Sequence, residues 1–254
     1  MTLVYRFSIL LWILIVFSCQ SPVVGKAGST PPSHQLWNEL LKAHVKQNGQ
    51  VDYQGFIREK PKLDSYLKLL SENAPDRSRW SKNEQLSYWI NVYNAFTVKL
   101  IVDYYPTKSI RDLGPRFKIP LIKDVWHYKF FKIAGVDMSL DEVEHSILRK
   151  EFEEPRIHFA INCASVSCPP LLNEAFVASN IENQLTRVAT SFINDLTRNK
   201  ISSQSVQLSS IFLWFKGDFT KKGTLIEFLN RYSSVKISAN ARITFLDYNW
   251  NLNE

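Results

Sequence analysis

The chain has no apolar run of the roughly 20 residues that a membrane-spanning helix needs near its start. The run from Phe7 to Phe17 stops short of that length. There is no internal repeat, and no low-complexity stretch beyond residues 20–35. No block of five or more like charges occurs, and arginines do not alternate regularly with aromatic residues. The formal charge of +7 over 254 residues is therefore spread out. It reads as a solvated surface suited to anionic lipid or glycan, and nucleic acid is not expected as a partner. Only three cysteines are present, Cys19, Cys163 and Cys168. What the chain does have is apolar and aromatic bulk. Hydrophobic residues make up 45% of it, with 7 Trp, 10 Tyr and 16 Phe, which excludes a disordered protein and predicts one substantial core.

The first residues do not belong to that core. Arg6 is the only charge in residues 1–18, and the apolar run after it has the length and flanks of a secretory signal. Ser18 then precedes Cys19, an arrangement that resembles the lipobox of bacterial lipoproteins. Residues 20–35 are rich in Ser, Pro and Gly. The expected layout is a signal peptide over residues 1–18, a lipidated tether over 19–35 and a single globular domain over 36–254. Lipidation at Cys19 would hold that domain to the membrane of a bacterial cell envelope, facing the periplasm. Removing residues 1–18 takes away Arg6 alone and leaves a charge of about +6.

Along the domain, amphipathic spacing predicts helices over 36–46 and 56–73. A third helix opens at Ser81, where Ser81 and Glu84 have capping-box spacing. It runs through Leu86, Trp89, Ile90, Val92, Phe96 and Leu100 to a stop at Pro106. A helix apolar on nearly every side is a buried one. Residues 107–128 read as a loop and 129–138 as a strand pair turning at Gly135. Ser139 with Glu142, and Ser179 with Glu182, repeat the capping-box spacing and predict helices to about Lys150 and about Leu196. Residues 156–162 read as a buried strand. A hairpin over 200–212, a short helix over 224–232 and a strand over 242–248 complete the pattern. The expected class is α+β, with a helix-rich N-terminal half, a buried central helix and a small, mostly antiparallel sheet from the C-terminal half.

The densest set of reactive groups lies in Arg156-Ile-His158-Phe-Ala-Ile-Asn162-Cys163-Ala-Ser165-Val-Ser-Cys168. On a strand, Arg156, His158 and Asn162 would share one face. Cys163 admits three readings: a nucleophile served by His158 or His145, a disulfide with Cys168, or a metal ligand. The spacing of His158, Cys163 and Cys168 fits no standard zinc pattern, so no metal and no cofactor is assigned. His145 follows Glu144 and lies one helical turn from Asp141. Asn91 and Asn94 sit within the buried helix, where an amide must find partners in a neighbouring loop or line a polar pocket.

Together these residues resemble a family. Trp80 through Ala95, with Trp89-Ile-Asn91-Val-Tyr93-Asn94, resembles the first signature of the uncharacterised family called domain of unknown function 547. Glu144-His145 with Leu148-Arg149 looks like its second. Arg156 through Pro169 looks like its third. Phe245-Leu-Asp247-Tyr-Asn-Trp250 is similar to its usual ending, with Asn249 where Asp is more typical. The resemblance spans roughly residues 36–252. It brings no established activity, but it implies that Asn91, Asn94, Glu144, His145, Arg156, His158, Asn162 and Cys163 belong to family motifs.

A set of Cys, His, Asn and acid has the makeup of a cysteine hydrolase or acyl-transfer site. In that reading Cys163 is the nucleophile, His145 or His158 the base, and Glu144 or Asn162 the group that orients it. Backbone N–H groups of the 163–168 loop would hold an oxyanion. Asn91, Asn94 and Arg156 would line the site, with Arg156 paired to Glu144. The substrate would be an envelope amide or ester, a small molecule or peptide. The rival reading is a non-catalytic envelope domain that binds a ligand or partner and has a structural Cys163–Cys168 pair.

Overall fold

The computed structural model describes residues 24–117 and 124–254. The expected signal peptide and the lipidation site at Cys19 lie outside the described residues. Among the described residues, the chain from Val24 already packs on the domain, ahead of the expected start at residue 36. Val24 is buried, Gly28 N–H donates to Asp76, and Ser29 Oγ donates to the Ala74 carbonyl. The Ser/Pro/Gly-rich segment here turns at Ala27 and Gly28 and docks on residues 74–76.

Three helices follow: α1 (Gln35–His44), α2 (Tyr53–Arg58) and α3 (Lys60–Glu72). The sequence pattern joins the last two, but Glu59 separates them. Pro61 lies in the first turn of α3, where it lacks an N–H to continue an earlier helix and disfavours helical geometry at the residue before it.

α4 (Lys82–Tyr104) is the axis of the fold. Ser81 and Glu84 cap it reciprocally, each side chain accepting the other's backbone N–H at 3.2 and 2.7 Å. Every residue from Gln85 to Val98 is buried. α2 and α3 pack on it, as does a turn of helix over 142–148. No helix among the described residues is long and apolar enough to cross a membrane; α4 is buried within the domain.

Two buried amides tie α4 to the chain around it. Asn91 donates to the Phe176 carbonyl at 2.7 Å and accepts the Phe176 N–H at 3.1 Å. Asn94 donates to the Ala160 carbonyl at 2.9 Å and accepts the Asn162 N–H at 2.8 Å. Each amide pairs with backbone as a neighbouring strand would. Asn94→Leu leaves the Ala160 carbonyl and the Asn162 N–H buried and unpaired. It should cost about 2–4 kcal/mol in urea unfolding, since each orphaned group costs roughly 1–3 kcal/mol. A loss below about 0.5 kcal/mol would show that water replaces the amide.

In the C-terminal half, β1 (Phe131–Ile133) and β2 (Val136–Met138) form an antiparallel hairpin. It turns through Ala134 and Gly135, both at positive φ, as a two-residue turn matching strand twist requires. Ser139 and Glu142 exchange their expected bonds. The helix they open has π geometry over Glu142–Leu148 before α5 (Arg149–Phe152). α6 (Ile181–Ile193) begins from Asn180 without a side-chain cap. The Ser179–Glu182 box does not form, because Glu182 turns to Arg156 at 2.8 Å.

β3 (Lys200–Ile201) pairs antiparallel with β4 (Ser205–Leu208), and β4 pairs in parallel with β5 (Arg242–Phe245). The parallel pair arises because α7 (Ile211–Trp214), α8 (Lys216–Phe219) and α9 (Leu225–Leu229) form the crossover between its strands. The class is α+β, helix-rich toward the N-terminus, with small sheets mostly in the C-terminal half.

Residues 156–162 are not a strand. Pro155–Phe159 form a 3-10 turn, started by the Glu154 side chain accepting the Arg156 N–H. Ile157, Phe159 and Ile161 are buried as an alternating strand would bury them, but so is His158.

Candidate functional site

The loop after the 3-10 turn begins at Ala160, clasped by Asn94. Asn162 then bends it. Its side-chain oxygen accepts the Ala164 N–H at 2.9 Å and its amide donates to the Pro169 carbonyl at 2.7 Å. Ala164 takes φ +59°, a left-handed conformation that costs a residue with a Cβ roughly 1–2 kcal/mol. The strained residue sits directly after Cys163. A strap formed by residues 248–253 secures the loop from outside: Val166 N–H donates to the Asn251 carbonyl, Ser167 N–H to Asn249, and Asn253 N–H to Ala164.

Cys163 and Cys168 are both free thiols. The Cys163 sulfur lies 3.2 Å from Ser165 Oγ and 3.3 Å from the Tyr248 hydroxyl. Burial acts to raise the Cys163 thiol, but hydrogen bonds from Cys168, Ser165 and Tyr248 outweigh it and bring it down to about 7. Cys168 is pushed up by its own burial and by the neighbouring Cys163. Of the pair, Cys163 takes the negative charge.

His158 is 3% exposed. Its ring stacks on Phe215 with centroids 3.9 Å apart, and Phe219 closes on it at 5.4 Å. Nε2 lies 2.8 Å from Asp218 Oδ2. Partial burial would raise the Asp218 carboxyl, but bonds from His158 and from Arg149, at 2.6 and 3.0 Å, hold it below the ordinary range. Burial depresses His158 below its usual value. The imidazole is thus neutral with its proton on Nε2, facing an ionised carboxylate. Nδ1 is buried and makes no hydrogen bond.

Glu144 Oε1 stands 3.9 Å from that orphaned Nδ1. The π turn carries Glu144 inward against Tyr93 of α4, and Arg149 closes the turn by donating its N–H to the Glu144 carbonyl. Burial, and then the nearby Cys163 charge, push Glu144 up to about 8, so it is a neutral acid at pH 7. His145, on the same turn, takes an N–H from Arg149 at 2.7 Å on Nδ1. Burial lowers His145 as well.

Cys163, His158, Glu144, His145 and Tyr93 open on one cavity of about 250 Å³. Trp126, Trp214, Phe215, Tyr248 and Trp250 form its apolar walls, with Asp124, Asp141 and His127 also lining it. Sγ of Cys163 hydrogen-bonds no histidine among the described residues, so thiol and imidazole share the cavity without a direct hydrogen bond.

The remaining sequence candidates lie elsewhere. Asn91, Asn94 and Asn162 do not line this cavity; they hold the backbone that shapes it. Arg156 does not meet Glu144. It pairs with Glu154 at 2.6 Å and Glu182 at 2.8 Å, beside a second cavity, because the 3-10 turn directs it away from the α4 side. Of the 163–168 backbone donors, Ser165 N–H is directed at the Cys163 sulfur, and the others are engaged. N–H of Cys163 donates to Cys168 Sγ, that of Ala164 to Asn162, and those of Val166, Ser167 and Cys168 to carbonyls.

Asp218 is the main residue that the sequence reading misses. It lies 60 residues from its histidine, in a four-residue helix with no motif around it. Tyr248 and Trp250 fall within the quoted C-terminal motif but carry no reactive signal by themselves.

Residues 77–193 match the model of the family described as "Protein of unknown function, DUF547". That span includes Glu144, His158 and Cys163 but not Asp218 or Tyr248, and it is narrower than the resemblance read over 36–252. No curated protein and no solved structure matches the chain.

Proposed function

We propose that this chain, which carries a DUF547 domain over residues 77–193, is a thiol-dependent hydrolase or acyl transferase. In this reading it is exported, lipid-anchored at Cys19 and faces the periplasm. One observation supports the chemistry above the others. An acidified thiol and an Asp-oriented imidazole with an unpaired nitrogen open on the same cavity.

In the reaction, the Cys163 thiolate attacks the carbonyl carbon of an amide or ester. The developing oxyanion accepts hydrogen bonds from the Tyr248 hydroxyl and from neutral Glu144, since every backbone donor of the loop except Ser165 N–H is engaged. As the tetrahedral species collapses, the C–N or C–O bond breaks and the leaving group takes the proton of neutral Glu144. A thioester remains on Cys163. His158 Nδ1 then accepts a proton from water, or from an acceptor amine or alcohol, as that group attacks the thioester. Thiolate is the leaving group, Asp218 holds the imidazolium, and the Nδ1 proton then returns to the Glu144 carboxylate 3.9 Å away, restoring the neutral acid. The substrate bridges thiol and imidazole.

The test uses two readouts on the purified protein. Alkylation of Cys163 by iodoacetamide should rise with pH around a midpoint near 7. In Tyr248→Phe that midpoint should move up toward the ordinary thiol range of about 8.5. An activated aryl ester should leave an acyl adduct on Cys163, seen by intact mass. That adduct should accumulate in His158→Gln, where the step after acylation has lost its base. A midpoint at about 9 together with no adduct on Cys163 would end this proposal.

A further inference from the structure

The cavity walls carry a charge pattern that the thiol chemistry does not use. Three acids line the cavity, Asp124, Asp141 and Glu144. No lysine or arginine lines it among the described residues. Arg149 lies beside it but is bound to Asp218 through two hydrogen bonds. Asp124 is matched by His127, which it holds at 2.8 Å through Nδ1.

Asp141 is left over. Its nearest nitrogen partners are His127 Nε2 and His145 Nε2, each at 3.5 Å from the same oxygen. That is long for a hydrogen bond, and burial, together with the arginine N–H on its other nitrogen, keeps His145 neutral. Glu144 is buried and uncharged, so one unbalanced carboxylate stands at the opening.

Around it the walls are aromatic. Trp126 and Trp250 meet edge to face at 5.5 Å, Trp250 stacks on Trp214 at 5.8 Å, and Tyr248 packs on both. Trp214 is 48% exposed although it is large and apolar. Indole faces attract cations, most strongly where water is partly excluded. The chain already uses one this way: the Arg111 guanidinium lies 5.1 Å over the Trp250 ring. His158, whose Nδ1 is buried and unpartnered, lines the same space.

We infer that the substrate is cationic, an acyl compound carrying an amine or quaternary ammonium group, with that charge held by Asp141 against the indole rings of Trp126 and Trp214. This assignment rests on the thiol reading above and names the substrate class for it. A carboxylate or phosphate in the same place would meet Asp141 with no lysine or arginine to offset it.

Charged thiol reagents test the inference without knowledge of the substrate. Methanethiosulfonates bearing a trimethylammonium or a sulfonate group differ in charge and react with thiolate by the same exchange. Their rates at Cys163, located by peptide mass and normalised to a simple thiol in solution, should favour the cation by tenfold or more at low ionic strength. Added salt should shrink that preference, as screening requires. Asp141→Asn should reduce it to within about threefold of unity. The salt series on the unaltered protein keeps the test valid if the variant folds poorly. Equal normalised rates, or faster reaction with the sulfonate, would overturn the cationic assignment while leaving the thiol reading standing. Failure of both reagents to reach Cys163 in the folded protein would remove the thiol reading, and this inference with it.

Discussion

Replacing Glu144 by glutamine is expected to make the protein roughly 3 kcal/mol more stable than the native chain at pH 7, with the advantage absent below about pH 4.5. The sign follows from proton uptake. Below its ordinary value of 4.5 the carboxyl is protonated whether the chain is folded or not, and pH has no effect through it. Above that value the unfolded chain releases the proton. The folded chain keeps it until about pH 8, because the group is buried and faces the Cys163 charge. Folding therefore takes up a proton across this window, and stability falls as pH rises by about 1.4 kcal/mol per unit. Glutamine has no proton to release, so the fall through this site disappears. Cys163 works in the opposite direction above pH 7, since its thiol ionises earlier in the folded chain than in the unfolded one. The comparison is cleanest between pH 5 and 7. Urea unfolding of both proteins at pH 5, 6 and 7 should give curves that diverge steadily. Parallel curves would mean that Glu144 is ionised in the folded protein, and the neutral acid assigned to the reaction would be lost.

Trp89→Ala should cost about 3–5 kcal/mol, the range for removing a large aromatic side chain from a core. Trp89 is 1% exposed and meets Tyr88 edge to face at 5.0 Å. α4 has packed chain on every side, so the space left by the indole cannot collapse without moving a neighbouring element. Trp89→Phe, which keeps most of the apolar volume, should recover more than half of the loss. Denaturant midpoints with unchanged slope would report both. A cost under about 1 kcal/mol for alanine would place Trp89 on a yielding surface and contradict the burial of the whole helix.

What the sequence conveyed well was local. The Ser81–Glu84 spacing and the unbroken apolar run located α4 and its burial, because capping and all-round hydrophobicity act within one helix. Gly135 located the hairpin for the same reason: a two-residue turn with positive φ is fixed by its own residues. The reading of 156–162 failed where two local signals conflict. Alternating Ile157, Phe159 and Ile161 imitate a strand, but Glu154 and Pro155 start a 3-10 turn, and tertiary burial accepts either geometry. That error placed Arg156 toward the cavity.

At the site, Glu144, His145, His158 and Cys163 do share one cavity, and both thiols are free. The asparagines turn out to be backbone clasps, a role that residue type alone cannot separate from lining a pocket. Asp218 reaches His158 only through the packing of α8, and the π turn that presents Glu144 leaves no period in the sequence. Both are products of tertiary contact and had no local trace.

The strap over residues 248–253 also sets an order on biosynthesis. Tyr248 follows Cys163 by 85 residues, and Asn253 follows Asn162 by 91. While the ribosome is still adding those residues, Cys163 lacks the phenol that acidifies it, and the loop lacks the N–H and carbonyl partners that hold its strained bend. A nascent chain thus carries a less acidic Cys163 through synthesis than the finished chain does. The strap adds the phenol's part to the acidification that Cys168 and Ser165 begin, so half-made chains, and chains clipped by a protease ahead of Tyr248, hold a thiol that ionises less readily.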